Sequence, residues 1–459
     1  MGSRIRGLLA LAVIAGACGP QATTSAPEQS TGSTGSSTAS PITTASPTSP
    51  ISTLATPVPW PAACATPQSD ALLAAPPATW TAALATKLAD PRIAGNDFSI
   101  SVWVDGFGEM VTRAPDRLLM PASNQKLWTA VGVHLSLPSD FTFRTQLMTT
   151  GTLRGGVLSG DLYVIGGGDP TLTTTGAHSL DSLAAEIKQR GIDRIAGRVI
   201  IDESRYDTTR TPSGWEPWQL DFVGPISAFM VDWNNVRKEP EFMNDPTRSN
   251  AQLFVDRLAK AKVDVSGGVA VATVSKDATP LFAVDSWPLP KLLNYMLSES
   301  DNMMAESFVR EIGRRRTGIG STPAGLAAID NAITTSLCLP PEGINDDGSG
   351  VSKYTMHSAH YWRHLLEIVH EQSWGAQFES ELAVSGTTGT MASRLNTPAL
   401  IGRVHAKTGT VRGGRALSGY ATTIGGRSVV FSIIGNGDDT KLTTKVMDEL
   451  VETVVGYPA

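Results

Sequence analysis

The sequence predicts an α/β protein with more than one domain, because helical and strand-like patterns alternate along a long chain. The chain has 459 residues, of which 41% are hydrophobic, so it can form two or three domains with cores of their own. The segment between Lys126 and Ser300 contains strand and helix patterns of its own. We therefore expect one larger α/β domain that is interrupted by an inserted domain.

The N-terminus has the pattern of an export signal. Two basic residues, Arg4 and Arg6, precede an apolar run at 8–17 that is too short to span a bilayer. The run ends in Ala-Gly-Ala before Cys18, which is similar to the lipobox in which a cysteine becomes the lipidated first residue. We expect residues 1–17 to be a signal peptide and Cys18 to be a lipidation site. An ordinary cleaved signal is the alternative.

Residues 18–66 predict a disordered tether between this signal and the folded part. Ser, Thr, Pro and Ala dominate the segment and no apolar periodicity runs through it, so it cannot bury enough surface to become ordered. Cys64 and Cys338 are the other two cysteines. In an oxidising compartment such a pair predicts a disulfide, although two unrelated thiols fit the sequence equally well.

Charge excludes one class of function. The net charge is −6, and removal of Arg4 and Arg6 with the signal makes it −8. A nucleic-acid-binding protein usually needs a basic face, so we expect no nucleic-acid partner. Membrane contact is expected only through a lipid on Cys18.

Periodicity places the folded elements and the domain boundaries. Residues 67–145 and 290–459 are expected to form the larger domain, and 146–289 the insertion. Apolar residues at helical spacing and alternating runs predict helices near 80–88, 127–135, 179–190, 292–310, 357–370 and 441–455, and strands near 98–104, 109–112, 141–148, 160–165, 198–201, 416–423 and 428–434.

The first of three motifs is a serine one helical turn before a lysine, Ser123-Asn124-Gln125-Lys126. A serine hydroxyl needs a base to become a nucleophile, and residues three apart on a helix share a face. Lysine can be that base if burial and a second cation, for which Lys407 is the candidate, lower its pKa. The helix N-terminus places the Ser123 N–H where it can stabilise an oxyanion.

Two further motifs complete the set, in order along the chain: Ser300-Asp301-Asn302 and Lys407-Thr408-Gly409-Thr410. A hydroxyl at Ser300 can carry a proton to a leaving amine, and Asn302 can hold Lys126 and a substrate amide. The lysine motif follows a strand-like run whose edge can align a peptide. There Lys407, Thr408 and Thr410 can bind a carboxylate, and Gly409 admits a close backbone.

Each motif alone has an ordinary structural explanation, namely a helix-surface pair, a helix end and a strand that ends in a turn. Their order and spacing together indicate an acylated serine that works without histidine. Other candidates are weaker. His360 and His364 are four apart but lack the glutamate of a zinc-protease motif, and His405 has no assigned role. The glycines at 166–168 lack the Gly-Lys-Ser/Thr of a phosphate loop. No metal or organic cofactor is expected.

With these residues the chain resembles the D-alanyl-D-alanine carboxypeptidase/endopeptidase family, the class C low-molecular-mass penicillin-binding proteins, which are serine peptidases. The resemblance extends from about Ser99 to Gly437. Besides the three motifs it includes the segments 160–172 (Gly-Asp-Leu-Tyr-Val-Ile-Gly-Gly-Gly-Asp-Pro-Thr-Leu), 191–202, 347–352 (Asp-Gly-Ser-Gly-Val-Ser), 389–394 and 417–420.

The resemblance implies a transpeptidase-like domain with an antiparallel sheet flanked by helices, an all-α subdomain and a β-rich insertion. It also implies a carboxypeptidase of the cell envelope that acts on peptidoglycan stem peptides. Ser123 would form the acyl-enzyme and react with β-lactams, Lys126 and Ser300 would move protons, and Lys407, Thr408 and Thr410 would fix the terminal carboxylate. A β-lactamase or esterase on the same scaffold, or a non-catalytic penicillin-sensing or wall-binding lipoprotein, are the alternatives.

Overall fold

The computed structural model describes residues 70–235 and 245–457. The predicted signal peptide, most of the tether, Cys18 and Cys64 therefore lie outside the described residues. Cys338 is disulfide-bonded, and its pairing with Cys64 stays a prediction. Within the described ranges, no helix combines the length and the apolar character that a membrane crossing needs.

Helices begin and end where the sequence offers caps. The side chains of Ser179, Asp301, Ser321 and Ser358 accept hydrogen bonds from the first turns of four helices, and such caps each stabilise a helix by about 1 kcal/mol. The helices of the described residues are α1 Ala78–Leu88, α2 Pro91–Ala94, α3 Gln125–Ser136, α4 Leu180–Gln189, α5 Pro246–Lys260, α6 Leu289–Ser298, α7 Asn302–Thr317, α8 Thr322–Leu337, α9 Ala359–His370, α10 Gly375–Ser380 and α11 Thr444–Val455.

The strands of the described ranges form three sheets. Those of the largest are β1 Asp97–Val104, β2 Gly108–Arg113, β12 Ala383–Val384, β13 Val404–Val411, β14 Gly414–Thr422 and β15 Ser428–Asn436. The other two sheets contain β3 Arg144–Thr149, β4 Leu153–Arg154, β5 Val157–Leu158, β6 Leu162–Ile165, β7 Arg194–Ile195, β8 Val199–Asp202, β9 Asp264–Val265, β10 Val269–Val271 and β11 Thr279–Asp285.

The largest sheet is antiparallel throughout, in the order β12-β13-β14-β15-β1-β2. Both of its faces are covered. One face packs Ile100, Val102 and Phe431 against α1 and α11. The other packs Ala416 and Ile434 into a core shared with α3 and α6 to α10. This helix-flanked sheet confirms the predicted fold class.

In the second sheet, the first and the last strand along the chain, β3 and β11, pair antiparallel. The chain therefore enters and leaves this region on neighbouring strands. The sheet has the order β10-β8-β6-β3-β11 and lies near a four-stranded sheet, β4-β5-β7-β9. Residues of α4 and α5 fill a core of their own with these strands. We keep 146–289 as the proposed extent of the insertion.

One segment of this region packs away from its sheets. Trp215, Ile226 and Met230 form a small core with Met303 of α7 and Val351. A 3-10 turn, Pro217–Asp221, lies in the same segment. This arrangement brings aromatic residues of the insertion to the site that the sequence motifs predict.

Candidate active site

Ser123 lies in a 3-10 turn, Ala122–Asn124, that leads directly into α3. The turn is held against the main sheet, because the Asn124 side-chain amide donates to Ser418 Oγ of β14 at 2.6 Å. A Cβ on Gly409 of β13 would lie 2.7 Å from the Pro121 carbonyl oxygen. Glycine at this position therefore lets the strand approach the serine turn, a different reason from the close substrate approach that the sequence suggested.

Lys126 is completely buried and its amine has three partners. Nζ lies 3.0 Å from Ser123 Oγ, 2.7 Å from Asn302 Oδ1 and 2.7 Å from the Ser349 carbonyl oxygen. Burial lowers the pKa of Lys126 to about 8, although the charges of nearby carboxyl groups oppose the shift. At pH 7 about a tenth of the amine is then neutral.

The three partners fix the direction of the amine. A neutral amine has two hydrogens and one lone pair, and two of the partners, Asn302 Oδ1 and the Ser349 carbonyl, can only accept hydrogen bonds. They therefore take the two hydrogens, and the lone pair points at the hydroxyl of Ser123. This geometry suits the removal of a proton from that hydroxyl.

The second motif is at a break between two helices. Ser300 separates α6 from α7 and has a left-handed backbone, with φ of 66°. Asp301 caps α7 by accepting from the Met304 N–H at 2.8 Å. Asn302 begins the helix and donates to the Phe222 carbonyl at 3.0 Å. Among the described residues no hydrogen bond involves the Ser300 hydroxyl, which lines the same cavity as Ser123.

The third motif lies on β13. Lys407 is completely buried and its Nζ donates to the Thr408 carbonyl at 2.9 Å. Burial lowers the pKa of Lys407 well below its ordinary value, and repulsion from Lys126 and Arg394 adds to the effect. Burial is what lowers the pKa of Lys126. The predicted effect of one lysine on the pKa of the other is therefore seen at Lys407. The Thr408 hydroxyl donates to Thr390 Oγ1 at 2.8 Å.

One cavity of about 410 Å³ brings the three motifs together, and Ser123, Ser300, Asn302 and Thr410 all line it. The motifs alone did not identify the rest of its wall. The Arg412 guanidinium lies 4.7 Å from the ring centre of Trp218. Trp218 and Phe222 are exposed side by side on this wall, and an apolar patch of this kind marks an interaction site, but the sequence alone does not show that they are exposed. The remaining lining residues are Gln219, Val351, Val411, Arg415 and Asp439.

The role of the 347–350 loop was also not visible in the sequence. Its Ser349 supplies the carbonyl that binds Lys126. Asp347 is completely buried and accepts hydrogen bonds from the Gly350 and Ser352 N–H groups and from Trp215 Nε1. The loop is thus tied to its own backbone and to the inserted segment.

A serine hydroxyl 3.0 Å from a buried lysine amine, between an antiparallel sheet and a helical layer, is the arrangement of a serine peptidase with the penicillin-binding fold. More particularly, the model of the D-Ala-D-Ala carboxypeptidase 3 (S13) family matches residues 80–242 and 238–455. The chain therefore belongs to this family of hydrolases.

Curated relatives and solved structures agree with this assignment. A D-alanyl-D-alanine carboxypeptidase of an Actinomadura species is 26% identical over 76% of this chain and 79% of its own. A D-alanyl-D-alanine carboxypeptidase of Haemophilus influenzae is 25% identical over 70% and 81%. The crystal structure of penicillin binding protein 4 from Haemophilus influenzae superposes with a TM-score of 0.71 at 23% identity, and covers 82% of this chain and 98% of its own, which shows a shared fold.

Proposed function

We propose that this protein removes the terminal D-alanine from peptidoglycan stem peptides through an acyl-enzyme on Ser123. The observation that carries the proposal is the position of the Lys126 amine, 3.0 Å from Ser123 Oγ with two other acceptors on its hydrogens. The family match and the curated carboxypeptidase relatives support the choice of substrate.

The proposed acylation begins with attack of Ser123 Oγ on the carbonyl carbon of the penultimate D-alanine, while Lys126 takes the hydroxyl proton. The backbone N–H groups of Ser123 and Thr410 stabilise the resulting oxyanion. The Ser300 hydroxyl relays a proton to the nitrogen of the terminal D-alanine, whose C–N bond then breaks. Water attacks the ester in the second half, Lys126 accepts its proton, and Ser123 leaves protonated.

The same proposal assigns the carboxylate of the terminal residue to β13. The hydroxyl of Thr410, which lines the cavity, is proposed to donate to it, joined by that of Thr408 once it turns away from Thr390 Oγ1. The buried Lys407 supports this end of the cavity with a positive field when protonated. The guanidinium group of Arg412 adds positive charge to the cavity wall, whereas that of Arg415 is paired with Asp439 at 3.0 Å. A peptide whose C-terminus is amidated is therefore expected to bind poorly.

Export and anchoring belong to the same proposal. We infer that residues 1–17 direct the chain to the cell envelope, that Cys18 carries the lipid anchor, and that 18–66 form the tether. The family assignment supports the envelope, because peptidoglycan lies there. We also propose that β-lactams acylate Ser123. A β-lactam complex of the Haemophilus influenzae protein has the same fold, with a TM-score of 0.68 at 23% identity.

The test uses the purified chain from residue 19, which keeps Cys64 together with Cys338, a fluorescent penicillin and a peptide that ends in D-Ala-D-Ala. We expect a covalent adduct and released D-alanine, both absent in Ser123→Ala and both retained in Ser136→Ala at the far end of α3. Rapid turnover of the penicillin would instead indicate the β-lactamase. An adduct without release of D-alanine from this peptide or from a cross-linked muropeptide would indicate the penicillin-sensing alternative.

A further inference from the structure

The Lys126 amine is held from three parts of the chain. Ser123 belongs to the turn before its own helix, Asn302 to α7 and Ser349 to the 347–350 loop. The first two partners belong to the recognised motifs, and the third is a backbone carbonyl. The Ser349 carbonyl belongs to the Ser349–Gly350 peptide, whose N–H donates to Asp347 Oδ1 at 3.0 Å, so its position also depends on what fixes the two preceding peptides, which contain the Gly348 and Ser349 N–H groups.

Glu306 of α7 fixes those peptides. Its Oε1 accepts hydrogen bonds from the Gly348 N–H at 3.0 Å and from the Ser349 N–H at 2.8 Å. The side chain is completely buried. Glu306 also lies four residues after Asn302 and therefore on the same face of α7. One face of one helix thus controls two of the three contacts of the Lys126 amine.

The loop has little freedom to find another position. Thr129 of α3 donates to the Gly348 carbonyl at 2.7 Å, which ties the loop to the helix that carries Lys126. A Cβ on Gly348 would lie 2.4 Å from Val309 Cγ2, so the loop backbone is pressed directly onto α7. Glu306 thus joins α7 to a loop that α3 already holds.

We propose that Glu306 is a positioning residue: through the N–H groups of Gly348 and Ser349 it holds the Ser349 carbonyl on Lys126 and so directs the amine at Ser123. The inference rests on the proposed acyl transfer at Ser123. Glu306 does not contact the reacting atoms and acts through the loop.

The charge state of Glu306 matters as well as its position. Burial raises the pKa of Glu306 to about 8, and the charge of Asp347 adds to this, whereas the Ser349 hydrogen bonds and Arg310 oppose it. When Glu306 is neutral, Oε1 still accepts both N–H groups while the proton resides on Oε2. When it ionises, its charge raises the pKa of Lys126 and keeps the amine protonated.

Other charged groups surround Glu306 and Lys126. Asp301, which caps α7, and Asp347 of the loop raise the pKa of Lys126. Lys407 of β13 faces Lys126 from the sheet. These groups are unchanged in a variant of Glu306, so they set a constant background. A glutamine at 306 therefore keeps the acceptor of the loop and removes only the ionisable charge.

The test follows the second-order rate of acylation by a fluorescent penicillin from about pH 5.5 to about pH 9.5. In Glu306→Gln we expect both the plateau and the acid limb, the fall of the rate at low pH, to stay near those of the wild type, because Glu306 with its pKa of about 8 is mostly neutral where the acid limb lies. In Glu306→Ala the carbonyl loses its support, and we expect the plateau to fall about ten-fold.

Glu311→Gln is the matched control. Glu311 is also completely buried on α7 but pairs with Arg205 and Arg315, so its variant is expected to lose stability without any fall of the plateau. Thermal unfolding is measured for every variant. If Glu306→Ala does not fold, Glu306→Asp takes its place, because its carboxyl group lies one methylene farther from the loop and is expected to lower the plateau.

The inference is overturned if Glu306→Gln loses the plateau as Glu306→Ala does, because the acceptor that glutamine keeps would then not matter. It is also overturned if a folded Glu306→Ala keeps the plateau of the wild type. Either result would leave the proposed function intact, because the wild type would still be acylated at Ser123. A wild type that fails to react with penicillin or to release D-alanine would instead refute the proposed function.

Discussion

Lys126 and Arg363 are both cations with completely buried side chains, and they differ in what surrounds them. The partners of Lys126 are a hydroxyl, an amide oxygen and a backbone carbonyl. Arg363 of α9 instead contacts two carboxylates, that of Glu367 at 2.5 Å and that of Asp70, and donates to Ser101 Oγ at 2.7 Å.

The surroundings of each cation decide whether it can react or only stabilises the fold. A buried cation with carboxylate partners stays charged and holds those partners in place. A buried cation with neutral partners is destabilised by the loss of hydration and gives up its proton more easily. The carboxyl groups that influence Lys126, those of Asp301, Glu306 and Asp347, act on it by charge. The amine can therefore reach the neutral form in which it accepts a proton from Ser123.

The largest expected effect is at Lys126. We expect Lys126→Gln to reduce acylation by penicillin about a thousand-fold, because the base is lost. We expect the free energy of unfolding to change by only about 1 kcal/mol, because the glutamine amide can still donate to its neighbours. Acylation is measured by fluorescent gel and stability by urea unfolding, with Lys188→Gln on the surface of the insertion as control. Normal acylation in the variant would break the comparison.

Arg363 should show the opposite behaviour. Arg363→Gln leaves the buried carboxyl of Glu367 without its cation, and we expect a loss of about 3–5 kcal/mol in the free energy of unfolding. The acylation rate of the folded fraction should stay near that of the wild type. Arg363→Lys keeps the charge and should recover part of the loss. A stable Arg363→Gln with poor acylation would contradict the assignment of this residue to support.

His360 of α9 is expected to have a smaller effect on the free energy of unfolding, and one that depends on pH. Burial alone would lower the pKa of His360, but hydrogen bonds and charges of Glu109 and Asp116 raise it to about 9 from 6.5. A raised pKa stabilises the folded state fully below about pH 6.5, and this contribution disappears as the pH rises through about 9.

The corresponding variant is His360→Gln. After allowance for solvent screening we expect it to be less stable than the wild type by about 1–2 kcal/mol at pH 6, and the gap to close by about pH 10. Urea unfolding at several pH values measures the gap. A gap that stayed constant with pH would show that His360 stabilises the fold by packing rather than by its charge.

Much of the fold was readable because apolar periodicity decides local structure. The predicted strand at 98–104 is β1, and the predicted helix at 127–135 lies within α3. The predicted strand at 141–148 begins later, at Arg144, because Phe141 and Phe143 are buried in the core of the helical layer. The single helical region at 292–310 is two helices, since the left-handed backbone of Ser300 breaks it.

The site was predicted only as far as side-chain chemistry reveals it. Ser123, Lys126 and Asn302 are joined by hydrogen bonds, and Ser300 and Thr410 share their cavity. The Ser349 carbonyl could not be predicted, because any residue has one and only the folded loop directs it. Trp218 was missed because its segment lies far from the motifs in sequence and reaches the site through the packing of the insertion.

Whether Lys126 can act as a neutral base at working pH is tested by titrating the Lys126 amine. In protein labelled with carbon-13 lysine, the Cε resonance of Lys126 is assigned by its absence in Lys126→Arg and followed as the pH is raised. We expect a midpoint of about 8. A midpoint at or above the ordinary lysine value of 10.5 would contradict it, because the amine would then hold its proton throughout the range in which the enzyme works.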